Sequence, residues 1–144
     1  FYSKLFGLKY CITYFYNVFG GREISSGKYS TVIAKFLKLK KESSKKLPIV
    51  SPGTQKRNFT HVDDIVNGLL LIARKGNGDG YGIGSDVSHS IIEVAEMLNM
   101  DYELLPERPG NRNDSELILS KSKALGWEAK NSLKDYLKSM IHEE

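Results

Sequence analysis

The chain has 144 residues, with 21 Lys and Arg against 17 Asp and Glu for a net charge of +4, and is 40% hydrophobic and 26% charged. That balance excludes a disordered or collagen-like chain and supplies enough apolar material for one packed domain. Its single cysteine, Cys11, cannot form an internal disulfide, so stability must come from packing, and a reducing, cytosolic setting is expected.

In chain order, Leu8 to Val18 is rich in aromatic and β-branched residues between Gly7 and Gly20-Gly21, which predicts a buried strand. Tyr29 to Lys41 places Val32, Ile33, Phe36, Leu37 and Leu39 at helical spacing. Leu47 to Val50 reads as a short strand stopped by Pro52-Gly53, and Phe59 to Val62 as another. Asp63-Asp64 suits the N-terminus of a helix Ile65 to Lys75, because carboxylates there cap free N–H groups and oppose the positive end of the dipole. The apolar stretch of that helix, Ile65 to Ala73, is interrupted by Asn67 and Gly68 and is far shorter than the roughly 20 residues of a membrane span. Gly76 to Gly84 has glycine at every second position, but no glycine falls at the third place of a Gly-x-Gly-x-x-Gly fingerprint. A loop followed by a strand Tyr81 to Gly84 is expected instead. Ser90 with Glu93 forms a capping box for a helix Ile91 to Leu98. A strand Tyr102 to Leu105, a short helix Ser120 to Leu125 ended by Gly126, and a closing amphipathic helix Ser132 to Ile141 complete the pattern.

The charge is unevenly spread. Residues 1–60 carry 12 Lys and Arg against 2 acids, a local +10, and residues 61–144 carry 9 against 15, a local −6. A basic first part suits an anionic partner. The run Lys35, Lys38, Lys40, Lys41, Lys45 and Lys46 falls on one helix and its exit, where a solvated face is the ordinary explanation. The start at Phe1 has neither an initiator methionine nor a signal-peptide pattern, and the chain is read as a piece of a longer protein.

Four segments in order carry a family resemblance. Tyr14-Phe15-Tyr16-Asn17-Val18-Phe19-Gly20 resembles the Arg-Tyr-Phe-Asn-Val-Tyr-Gly strand end of extended short-chain dehydrogenase/reductases acting on nucleotide sugars. Gly53 to Asp64, reading GTQKRNFTHVDD, resembles their Gly-x-Gly/Gln-x-Arg-Asp-Phe-x-x-Val-Asp-Asp segment. Tyr81-Gly82-Ile83-Gly84-Ser85 is similar to Tyr-Asn-Ile-Gly-Ser/Thr. Glu107-Arg108-Pro109-Gly110, followed by Leu125-Gly126-Trp127, is similar to Arg-Pro-Gly-Asp followed by Leu-Gly-Trp.

The resemblance implies an α/β fold, the C-terminal fragment of an extended Rossmann-type reductase with small mixed sheet strands and helices, akin to UDP-glucose 4-epimerase and nucleotide-sugar dehydratases. Residues 1–22 would be the last part of the NAD-domain sheet and 23–144 the nucleotide-sugar domain. The family's Gly-rich NAD motif and catalytic Tyr-x-x-x-Lys are not in this sequence, where no tyrosine has lysine four positions on. NAD would be bound mainly by a missing N-terminal half, with Phe15 and Val18 as the residues here nearest to it.

For a nucleoside-diphosphate sugar, the resemblance places Arg57 and Arg108 on the diphosphate, which a guanidinium fork matches. Asn17, at a strand's carboxyl end, would meet phosphate or sugar. Thr31 and Val32 fall where a helix closes over the nucleotide, and Pro48 and Val50, on one side of a strand, would wall the base. Val50 stands where the family often has an aromatic residue, which leaves the base open. Gln55 would contact the ribose or a phosphate. Further departures are Tyr14 for Arg, Asn58 for Asp, Gly82 for Asn and Asn111 for Asp; losing acids at 58 and 111 suits an anionic ligand. His61, His89 and His142 have no metal-ligand spacing.

The expected partner is a nucleoside-diphosphate sugar, with neither nucleic acid nor membrane, and the whole protein is expected to be a homodimer. The competing reading is a non-catalytic polyanion or nucleic-acid module using basic residues 1–60, against which the lysines lack interleaved exposed aromatics.

Overall fold

A computed structural model describes residues 1–43, 45–107 and 116–142. The elements are α1 (Tyr2–Phe6), β1 (Cys11–Phe15), β2 (Val18–Phe19), α2 (Val32–Lys41), β3 (Lys46–Val50), β4 (Lys56–Arg57), β5 (Thr60–His61), α3 (Val62–Lys75), β6 (Gly78–Ile83), β7 (His89–Ser90), α4 (Ile91–Met97), β8 (Asp101–Leu105), α5 (Ser120–Ala124) and α6 (Leu133–His142). The strands pair β1 with β6, β2 with β5 and β3 with β8 in parallel, and β4 with β7 antiparallel. This is the mixed α/β arrangement expected. Among the described residues no helix is long and apolar enough to cross a membrane.

Two apolar clusters hold the elements together. The larger gathers Phe19, Ile33, Phe36, Leu47, Ile49, Phe59, Val94, Leu98 and Leu137, packing α2, α4 and α6 around β3. Fully burying each such side chain contributes about 1.5–3 kcal/mol. The second joins Ile65, Ile72, Tyr81, Ile83 and Trp127, with Cys11 and Val18 against it, so β1, β6, α3 and residues near α5 form one unit. Strand β6 and α3, from the later part of the chain, thus pack with β1.

The buried positions of α3 are Asp64, Ile65, Gly68 and Ile72, a stripe at helical spacing. Gly68 is required by close approach: a Cβ there would lie 2.8 Å from Trp127 Nε1, and that indole donates to Asp64 O at 3.0 Å. The capping box on α4 is formed as read, with Ser90 Oγ accepting from Glu93 N and Glu93 Oε2 accepting from Ser90 N.

Several element readings need correction. The strand expected over Leu8 to Val18 is two strands, because Asn17 takes a left-handed conformation (φ 40°) between them and β2 turns to pair with β5. The second helix starts at Val32, where Thr31 caps it by accepting from Ala34 N. The Asp pair does not cap α3: His61 holds that place, accepting from Asp63 N, while Asp64 is buried within the first turn. Strand β6 starts at Gly78, inside the glycine alternation, because pairing with β1 uses backbone groups alone. No element was expected before Leu8, where α1 forms and ends at Gly7 with φ 64°.

Candidate functional site

Between the start of α2, strand β3 and the Gln55–Phe59 segment lies a cleft of about 820 Å³. Each wall follows from local sequence. Alternation along β3 buries Leu47 and Ile49 and leaves Pro48 and Val50 half-buried on the other side, where both line the cleft. The Thr31 cap sets the start of α2 at the mouth, with Val32 and Lys35 one turn apart along it. By helix geometry the N–H groups of Val32 and Ile33 have no intrahelical partner, so this end is electropositive.

Seven residues expected to meet substrate, Asn17, Thr31, Val32, Pro48, Val50, Gln55 and Arg57, line this one cleft. The eighth, Arg108, lies outside the described residues, as does Asn111. Asn17 bridges β1 and β2: its carbonyl accepts from Thr60 N at 3.2 Å, and its Nδ2 reaches Asn58 O at 3.5 Å. Arg57 sits on β4 with Nη1 donating to Lys56 O at 2.8 Å. Asn58 is buried outside the cleft lining and donates from Nδ2 to Ser85 O at 2.9 Å, a bond that a carboxylate could not make.

Gln55 is 6% exposed. Its Nε2 donates to Val50 O at 3.2 Å, and Oε1 is buried with no hydrogen-bond partner. Because the carbonyl at Val50 accepts, it fixes which end of the amide faces it. The atom left over is an acceptor, so a group meeting it there must carry a hydrogen.

The lining contains three cations, Lys28, Lys35 and Arg57, and among the described lining residues no acid. Lys28 and Lys35 were missed in the sequence, Lys35 because it sits in a lysine run that reads as a solvated face. The signal was present: position 35 is one turn from Thr31 and Val32, whereas Lys38 pairs with Glu42 at 3.8 Å. Phe59 and Leu105 add apolar surface to the cleft, which sequence reasoning also missed.

Phe15 and Val18, expected beside NAD, do not line the cleft. Phe15 is 49% exposed at the end of β1, and Val18 packs against the second cluster. Tyr14 donates its hydroxyl to Asp79 Oδ1 at 2.9 Å across the β1–β6 pair, a bond that raises its pKa above the ordinary phenol value. Among the described residues, no group of three or more His, Cys, Asp and Glu is placed to hold a metal ion.

The family model described as NAD dependent epimerase/dehydratase matches residues 2–84, more than half of the chain. The chain belongs to that family. GDP-mannose 3,5-epimerase from Arabidopsis thaliana is 30% identical over 146 residues, covering 95% of this chain and 38% of the relative. The crystal structure of UDP-glucose 4-epimerase from Thermotoga maritima, solved with UDP-glucose, superposes with a TM-score of 0.86 at 30% identity, covering 98% of this chain and 47% of that one. UDP-glucuronic acid 4-epimerase from Bacillus cereus, solved with UDP-glucuronic acid and NAD, gives a TM-score of 0.82 at 25% identity over 98% of this chain and 46% of that one. The chain thus spans less than half the length of these relatives.

Proposed function

We propose that this chain forms the nucleoside-diphosphate end of the substrate site in an NAD-dependent nucleotide-sugar epimerase or dehydratase. The observation that carries the reading is the convergence of Lys28, Lys35 and Arg57 on a cleft that is also lined by the apolar Pro48 and Val50. Cations and the start of α2 suit a diphosphate. Pro48 and Val50 offer a flat apolar surface to a base, and the unpartnered Gln55 acceptor suits a ribose hydroxyl or a base N–H, not a fully ionised phosphate. Arg108 is assigned to the same diphosphate by its motif alone.

These residues bind and orient. Binding energy gained at the non-reacting nucleotide is what places the sugar for reaction in the whole protein, where the proposed step is oxidation at C4. NAD, the hydride acceptor of that step, belongs mainly with residues outside this chain. Phe15, exposed at the end of β1, and Val18, packed against the second core, are its candidate contacts in this chain. The whole protein is proposed to act in the cytosol as a homodimer.

The relatives act on or bind GDP- and UDP-linked sugars, so the test uses both bases. Titration of the protein with UDP and GDP by calorimetry should give saturable binding to at least one, weakened about tenfold or more in Arg57→Ala. Unchanged affinity in that variant would remove Arg57 from the site, and no binding of either diphosphate to wild type would end the reading.

A further inference from the structure

Gly27, Lys28, Ser30 and Thr31 line part of the cleft, and the segment that leads to them from Gly20 is spanned at its base by one side chain. Glu23 Oε1 accepts from Gly20 N at 3.0 Å, while Glu23 Oε2 accepts from the Thr31 hydroxyl. Thr31 Oγ1 accepts in turn from Ala34 N at 3.3 Å, and Thr31 N donates to Ile24 O at 3.1 Å. A single carboxylate therefore ties the residue after β2 to the cap of α2. Its two anchors adjoin elements that both line the cleft, with Asn17 just before β2 at one end and Val32 and Lys35 on α2 at the other. Gly20 packs closely on α3, where a Cβ would stand 2.6 Å from Val62 Cγ1.

Glu23 is the sole acid among residues 1–41, a stretch with eight Lys and Arg. It does not line the cleft, and both described hydrogen-bond partners are uncharged donors, so neither ligand contact nor ion pairing accounts for it. A carboxylate near an anion site also weakens attraction for the anion. Its geometry, two acceptor oxygens facing two separate donors, is what the position uses.

We propose that Glu23 is a positioning residue that sets the width of the cleft mouth by bridging Gly20 and Thr31. The consequence for ligand rests on reading the cleft as a nucleoside-diphosphate site; the bridge itself does not. A glutamine preserves it: the amide oxygen accepts from Gly20 N, and the amide nitrogen donates to Thr31 Oγ1. Alanine removes both ends.

The test combines amide hydrogen exchange with UDP and GDP titration of the whole chain. Glu23→Ala should speed exchange at Gly20 and Ala34 and weaken the diphosphate that binds wild type by about tenfold. Glu23→Gln should restore both to within about twofold, or bind more tightly because a negative charge is gone. Thr31→Val cuts one end of the bridge, so adding Glu23→Ala to it should speed Ala34 exchange no further. Unchanged Ala34 exchange in Glu23→Ala, or a Glu23→Gln that behaves like alanine, overturns the proposal. If wild type binds neither diphosphate, the reading of the cleft fails while the exchange measurements still decide the bridge.

Discussion

Asp64 holds Asn131 by two bonds: its Oδ1 accepts from the Asn131 side-chain amide at 2.9 Å and its Oδ2 from the Asn131 backbone N–H at 2.9 Å. Lys130 N also donates to Oδ2 at 3.1 Å, and the carboxylate is 2% exposed. This ties the first turn of α3 to the entry of α6, joining the two apolar clusters. Asp64→Ala removes the acceptor of three donors on Lys130 and Asn131, which are exposed and can be partly rehydrated, and should cost about 2 kcal/mol. Urea unfolding would read this as a lower midpoint at unchanged slope.

Lys35 and Lys38 lie one turn apart on α2 but face different surroundings, the first in the cleft and the second beside Glu42. Lys35→Ala should weaken diphosphate binding about three- to tenfold and flatten its dependence on salt. Lys38→Ala should leave affinity within about twofold, since exposed pairs contribute little. Equal effects of the two substitutions would mean that diffuse charge, not the cleft, attracts the anion.

The contrast between these lysines marks where sequence reading stops. Periodicity identified α2 as a helix, and the family resemblance selected seven residues that the fold brings into one cleft, Asn17, Gln55 and Arg57 within its motifs and Thr31, Val32, Pro48 and Val50 by their place on the helix and strand between them. The resemblance reached Thr31 and Pro48 because they fall between the Asn17 and Gln55 motifs, which fix their order along the chain. It passed over Lys28, which lies before the helix and carries no motif, and Lys35, whose spacing from Thr31 was masked by the lysine run around it. Nor could it find the Asp64 clamp: a carboxylate at a helix start looks like a cap, and only the distant Lys130-Asn131 segment reveals its other use. The split at Asn17 was hidden for a similar reason, since surrounding β-branched and aromatic residues outvote one residue that takes positive φ.

Gln55→Glu is a sharp probe of the cleft. The substitution replaces the donor to Val50 O by an acceptor and adds a negative charge among Lys28, Lys35 and Arg57. Diphosphate binding should fall by more than tenfold at neutral pH. Gln55→Met, which adds no charge, should lose less, and calorimetry on the two variants separates the electrostatic part of the loss from the hydrogen-bonding part.

Tyr14 gives a pH signature for the β1–β6 pair. Its hydrogen bond to Asp79, followed by desolvation and the Asp79 charge, raises the phenol pKa. A raised pKa means that the bond's contribution is complete below the ordinary tyrosine range near 10 and is lost as pH rises through the shifted value. Difference ultraviolet titration of wild type against Tyr14→Phe should assign the late-ionising phenolate to Tyr14. Asp79→Asn should return it toward the ordinary range.

The strand pairing described above also governs how the molecule assembles. Each pair joins partners separated by other elements, β1 with β6, β2 with β5, β3 with β8 and β4 with β7, and among the described residues there is no hairpin between sequence neighbours. During synthesis the β1–β6 pair cannot form until β6 has emerged, by which time the polypeptide bearing Lys28, Lys35, Gln55 and Arg57 is already made. Contacts so distant along the chain place folding on the slow, millisecond-to-second side of two-state behaviour, and the late closure of β1 on β6 completes the frame behind the cleft.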